Sequence, residues 1–195
     1  MSSICPNCNE KIPKQITRKV SCPFCKKPIY VRQGKLVTED EKFIIDWQKY
    51  MDFFVPDVTK VRENVERTLT EKFGAKPSPR DLIWGMFNHI VIRLRNPDQL
   101  NIIYLNMATF LGEEGKRKEA DEILRLANKM SVMGSMKIGF DKGILLKNAD
   151  DDFVCEECKK INGKVMGLQE AYVNFPLPIS ACKNKICRCR YEFIY

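Results

Sequence analysis

Nine cysteines carry the clearest chemistry in this chain, and their spacing separates them into two groups. The first reads Cys5-Pro6-Asn7-Cys8, then thirteen residues, then Cys22-Pro23-Phe24-Cys25. Two residues between thiolates let one tight turn aim both sulfurs at a single ion. Two such turns complete a tetrahedron, the arrangement of a structural Zn²⁺ site. A module this short buries too little apolar surface to fold unaided, so the ion supplies the missing stability. A rubredoxin-like iron site and a pair of disulfides would use the same residues. Iron suits a small, basic segment with few aromatics less well, and disulfides do not persist where cytosolic thiols are kept reduced.

The second group is Cys155-Glu156-Glu157-Cys158, followed by Cys182 and by Cys187-Arg188-Cys189. Five thiols compete for the four positions of a second zinc site. Cys155 and Cys158 form the pair expected to bind. The other two ligands come from Cys182, Cys187 and Cys189; on a strand, residues i and i+2 share a face, so Cys187 and Cys189 would both reach one ion. A fifth thiol is then a buried bystander or a redox-sensitive group. The single histidine, His89, sits in a helical stretch with no second histidine or suitably spaced carboxylate, so it reads as structural. Met130, Met133 and Met136, near Gly134 and Gly139, read as gap-filling core.

These groups divide the chain into three expected domains: a zinc ribbon over 1–38, a helical domain over 39–149 and a Cys-rich zinc-binding β module over 150–195. In the first, Pro28 to Val37 reads as a hairpin turning at Gln33-Gly34. The middle segment is amphipathic. Helices are expected over Glu39–Phe54, Val58–Phe73 with Gly74 as its stop, Pro79 to about Arg95 behind a Ser78 cap, Asp98–Glu113, and Arg117 to about Met130. The last pair resembles a tetratricopeptide-type helical hairpin, with Tyr104, Ala108, Gly115, Ala120 and Ala127 as its large residue, small residues and turn. No second copy recurs, so the pattern implies one hairpin in a small bundle, offering at most one peptide-binding groove. In the third segment Asn162-Gly163 marks a turn, Phe175-Pro176-Leu177-Pro178 a proline-rich step, and Arg190 to Tyr195 a final strand. The fold class is therefore mainly α, a helical bundle flanked by two zinc modules.

The net charge of +8 is concentrated at one end. Residues 1–38 hold Lys11, Lys14, Arg18, Lys19, Lys26, Lys27, Arg32 and Lys35 against Glu10 alone, a net of +7. Four zinc-bound thiolates would lower this to about +5. Such a module is drawn to phosphate backbones or to an acidic protein surface. Lys11, Lys14, Arg18, Lys19, Lys26, Lys27 and Arg32 are the candidate nucleic-acid contacts, with Phe24 and Tyr30 available either to stack on bases or to support the ribbon.

The C-terminal group also resembles the terminal module of phage Mu-type head morphogenesis (minor head) proteins. The matching residues are Cys155, Cys158, Gly163, Leu177-Pro178, Cys182 and Cys187-Arg188-Cys189. Cys182 stands where that family usually has a histidine, and the gap to Cys187 is longer. The likeness covers about the last 45 residues, and the family's large helical body is absent. The whole layout is similar to a loosely defined group of bacterial and phage-borne zinc-ribbon proteins; the stretch Lys19 to Arg32 looks typical of their ribbon. That likeness brings no activity with it.

Together these features imply a non-enzymatic zinc-binding protein (zinc-finger type, two Zn²⁺), acting as a nucleic-acid- or protein-binding module of phage or prophage type. The alternative is a head-assembly component. A metal-dependent hydrolase ranks below both, because all-cysteine sites are closed and no phosphate loop, Ser-His-Asp set or His-Glu-x-x-His motif is present. Asp150, Asp151 and Asp152 would be the carboxylates of a nuclease, but read better as a solvated linker. No membrane span, secretory leader or small-molecule site is expected, which suits a cytoplasmic chain, and the resemblance implies the cytoplasm of a bacterial or phage-infected host cell.

Overall fold

The computed structural model describes residues 3–138, 143–149, 151–174 and 176–194. Gly139, Asp150, Phe175 and Tyr195, named above, lie outside the described residues. Among the described residues helix outweighs strand, 48% against 13%, so the fold is mainly α. It packs as two compact units, Met1–Ile90 and Val91–Tyr195, which apportion the helical middle between them.

Unit one begins with two small antiparallel sheets. β1 (Ser3–Ile4) pairs with β2 (Lys11–Ile12) around the first cysteine turn. β3 (Val20–Ser21), β4 (Pro28–Arg32) and β5 (Lys35–Val37) form a second sheet in that order. The β4–β5 turn has φ of 50° at Gln33 and 74° at Gly34, the left-handed pair that a two-residue hairpin requires.

Three helices follow in this unit. α1 (Glu39–Gln48) starts at Thr38, whose Oγ1 accepts the Glu41 N–H. It stops short of the expected Phe54 because the chain tightens into three-residue turns: Tyr50 N–H donates to Trp47 O, and Phe54 N–H to Met51 O. These turns still bury Met51 completely, which explains why the apolar spacing there imitates a helix. α2 (Val58–Phe73) runs from an Asp57 cap to Gly74, whose φ of 70° ends it. α3 (Pro79–Val91) is capped by Ser78, whose Oγ accepts the Asp81 N–H and donates to its carboxylate. It ends before the expected Arg95, with Leu94 N–H turning back to Val91 O. Trp47 of α1 meets Phe87 of α3 edge-on at 6.2 Å. Gly85 lets α2 and α3 close together, since a Cβ there would lie 2.7 Å from Val65 Cγ1.

The ribbon is fastened to α1. Arg32 of β4 forks onto Asp46 at 2.7 and 3.0 Å, and the Tyr30 hydroxyl donates to Glu39. Asp46 is held well below the usual carboxylate range, first by Arg32 and then by Lys42.

Unit two is built on a helical hairpin. α4 (Pro97–Glu113) is capped by Asn96, and α5 (Arg117–Ile138) extends beyond the expected Met130. Between them Gly115 takes φ of 75°, and Lys116 N–H reaches back to Leu111 O. Ala108, Ala120 and Ala127 are fully buried, and the Asn101 amide donates to Ala127 O across the pair. After the hairpin come β6 (Ile144–Lys147), α6 (Glu156–Lys159), β7 (Val165–Met166), α7 (Leu168–Asn174) and β8 (Arg190–Phe193). Their antiparallel sheet has the order β7-β6-β8. The core of this unit mixes Leu124, Val132, Ile144, Leu146, Leu168 and Leu177 with Cys158, Cys182, Cys187 and Cys189. Among the described residues no helix is long and apolar enough to cross a membrane.

Candidate metal centres

The N-terminal cage is made from one turn used twice. In the first, Cys5 N–H donates to Glu10 O and Asn9 N–H to Cys5 O; in the second, Cys22 N–H donates to Lys27 O and Lys26 N–H to Cys22 O. Asn9 and Lys26, one residue after each second cysteine, both adopt left-handed backbone, with φ of 61° and 63°. The Asn7 amide ties the two turns together by donating to Pro28 O. All four sulfurs lie within 4.8 Å of one another. Cys5–Cys25 is 3.9 Å and Cys8–Cys22 is 3.8 Å. A tetrahedron with zinc–sulfur bonds of ~2.3 Å has edges of about 3.8 Å, so the spacing suits such an ion.

Electrostatics points the same way. Burial opposes the Cys22 thiolate, but the Cys25 and Phe24 N–H groups and the facing thiols bring it down to about 7. Its neighbour Cys8 is drawn down by the Glu10 N–H, yet burial and the other three thiols push it up to about 12. Once one sulfur ionises, the rest resist. A divalent cation removes that repulsion and lets every sulfur be a thiolate.

The C-terminal group is less regular. Cys155 caps α6 and Cys158 lies within it, while Cys182, Cys187 and Cys189 come from the loop before β8. Two sulfur triads result, Cys155–Cys158–Cys182 and Cys158–Cys187–Cys189, sharing Cys158. Cys187 and Cys189 therefore reach the same neighbour from a loop, not along a strand as the spacing suggested; β8 begins only at Arg190. The Lys183 N–H chiefly lowers Cys155, to about 7. The Cys189 thiol, ahead of the Cys189 and Ile179 N–H groups, lowers Cys187 to about 5. Cys158 is raised, mainly by burial, and Cys189 is raised, mainly by Cys187. Both groups could therefore hold metal ions, and among the described residues neither includes a histidine or a carboxylate.

Residues that the cysteine pattern did not single out position this second group. Arg117 at the start of α5 donates to Asn184 O and pairs with Asp121 at 2.8 Å. Burial disfavours its charge, but Asp121 and the Cys182 sulfur sustain it. Asn184 in turn donates to Phe153 O. Gly112 gives the loop room, for a Cβ there would stand 3.3 Å from Lys185 O. Arg188 grips Asp151, with Nη2–Oδ1 at 2.8 Å, so that carboxylate of the acidic run has a structural task. A glycine inside a helix, as Gly112 is, was the one available signal.

The candidate nucleic-acid residues separate. Lys11, Lys14, Arg18, Lys19, Lys26 and Lys27 are exposed. Lys19 lies over the Tyr30 ring, and Lys26 donates to Pro23 O. Arg32 is half-buried and committed to Asp46. Tyr30 is buried and supports the ribbon, whereas Phe24 is 54% exposed. His89 is half-buried on α3 and belongs to neither sulfur group.

A scan against protein-family models finds no match to this chain, and neither do searches of curated proteins and of solved structures.

Proposed function

We propose that this is a non-enzymatic, zinc-binding module protein whose N-terminal ribbon contacts nucleic acid. Both ions are read as zinc in closed, structural sites, held by Cys5, Cys8, Cys22 and Cys25 and by four of Cys155, Cys158, Cys182, Cys187 and Cys189. All-sulfur donor sets favour such ions and leave no position open for substrate. The observation that carries the contact surface is that six cations and the Phe24 ring of this short module are exposed. Cations at the surface neutralise phosphates, and an exposed ring offers a base a stacking face. The test is binding of the zinc-loaded chain to labelled single- and double-stranded DNA and RNA across a salt series. Affinity that falls steeply with salt, with a shallower slope for the Arg18→Ala/Lys19→Ala variant, supports the reading. No binding at low salt overturns it.

A phage assembly role is the second reading. It rests on the likeness of the ending to minor head proteins, and is favoured by Cys182 sharing a triad with Cys155 and Cys158, at the position where that family has its histidine. Absence of the chain from purified virions and procapsids would exclude it.

A further inference from the structure

The hairpin of unit two borders a groove of about 530 Å³ that abuts the second sulfur group through Cys187 and Cys189 and extends beyond it along the helices. Asn101, Leu105 and Thr109 of α4 and Leu124, Asn128 and Ser131 of α5 line it from the two adjoining helices. The chain from Ile186 to Tyr191 closes its side.

Three observations point to an occupant. First, β8 is an edge strand. Leu146, which faces Tyr191 across β6 and β8, gives its N–H to Lys164 O and takes the Gly163 N–H. Its backbone thus faces away from β8, which makes Leu146–Tyr191 a non-hydrogen-bonded pair and turns the Tyr191 N–H and C=O outward. An outward N–H and C=O beside a groove form a template for an added strand. Second, Asn128 is only 6% exposed, and its amide nitrogen has no hydrogen-bond partner. A buried donor left unpaired is costly, and a ligand carbonyl would satisfy it. Third, no carboxylate lines the groove. Arg188 is neutralised by Asp151, while Arg190 is exposed and has no ion-pair partner among the described residues.

The dimensions also fit. From Asn101 to Thr109, α4 rises about 12 Å at 1.5 Å per residue. An extended chain covers that distance in about four residues.

We propose that this groove binds an extended, acidic peptide segment of a partner protein, laid as a strand beside β8. The peptide's main chain pairs with Tyr191 and gives a carbonyl to Asn128. An acidic side chain meets Arg190, and an apolar one covers Leu105. A phosphodiester backbone lacks the alternating N–H and C=O groups that Tyr191 demands. This surface is independent of the ribbon and of the nucleic-acid reading.

The probe is a display library of random nine-residue peptides, selected on the full zinc-loaded chain. Enriched peptides are then measured by fluorescence anisotropy and by the ¹⁵N resonance of Tyr191. The expected result is enrichment of Asp or Glu at alternating positions, a shift of the Tyr191 amide on binding, and tenfold or greater weakening by Arg190→Glu and by Asn128→Leu. Arg190 is exposed, so its substitution leaves the fold intact even if the Asn128 variant unfolds. The proposal is overturned by a library that yields no binder, by binders without acidic residues, by binding unchanged in Arg190→Glu, by an unmoved Tyr191 amide, or by displacement of a label from the groove by an oligonucleotide but by no peptide.

Discussion

The two sulfur groups reach similar chemistry by opposite routes. The N-terminal cage gathers four cysteines from 21 consecutive residues, with the same pair of backbone hydrogen bonds in each turn. The C-terminal group gathers five from residues 155 to 189 and rests on outside supports: Arg117, Gly112 and the Arg188–Asp151 pair. The local cage is backed by the small cluster of Ile12, Ile16 and Ile29 and by the joint to α1, so an ion there would do much of the work of a core. The distal group is already part of a core, so an ion there ties a loop to a platform that exists without it.

Metal removal should break the comparison most visibly. An apparent ~10–16 kcal/mol of folding free energy accompanies structural zinc in small modules. Chelation should therefore erase amide-exchange protection across residues 3–37 while α4 and α5 keep theirs. Equal loss in both regions would deny the distinction. Single cysteine substitutions come next. Cys22→Ser should cost the N-terminal site its ion, a drop of at least 100-fold in affinity. Five thiols serving four positions imply that one of Cys182→Ser, Cys187→Ser and Cys189→Ser leaves two equivalents bound by native mass spectrometry. Loss of the second equivalent in all three would show that no thiol is spare.

Packing effects are smaller. Gly112→Val drives a branched side chain into Lys185 O and Ile186 and should destabilise unit two by about 1–3 kcal/mol in urea melts. It should also weaken the second ion more than the first. The smallest effect is that of acid on the joints of α1, with the ribbon through Asp46 and with α2 through Glu41 and Arg62. Asp46 and Glu41 are held below their ordinary values, chiefly by Arg32 and Arg62. Their contribution is present above an unfolded carboxyl's value of about 4 and is lost as the pH falls through their lower folded values. Arg32→Ala should remove the larger share of the Asp46 part of that acid sensitivity, leaving the share held by Lys42, and should leave the nucleic-acid salt slope unchanged, because Arg32 faces Asp46. A flattened slope would return Arg32 to the contact surface.

Much of this was legible in the residues. Cys-x-x-Cys pairs, the Gln33-Gly34 turn, the Ser78 cap and Gly74 each impose local geometry, and each appears where local rules put it. The ends of α1 and α3 were not legible, because an apolar residue at helical spacing can be buried by a tighter turn, as Met51 is, or left partly exposed, as Leu94 is. That Cys187 and Cys189 fall in one sulfur group was expected, but the strand meant to bring them there was not found, because a spacing of two suits a strand or a loop. Arg117 and Arg32 took tasks set by residues 67 and 14 positions away, which no local pattern announces.

One detail of the N-terminal cage bears on its lifetime. In each turn the first cysteine, Cys5 or Cys22, is fully buried, and the second, Cys8 or Cys25, is partly open to solvent. An ion held there has an inner and an outer side. A competing thiol or chelator meets Cys8 and Cys25 first and displaces them while Cys5 and Cys22 still hold. Exchange then proceeds through a half-released ion, and its rate is set by two surface sulfurs. Transfer to a competing donor would thus begin while the two buried sulfurs keep the ribbon ordered, and the ribbon would loosen only when Cys5 and Cys22 let go.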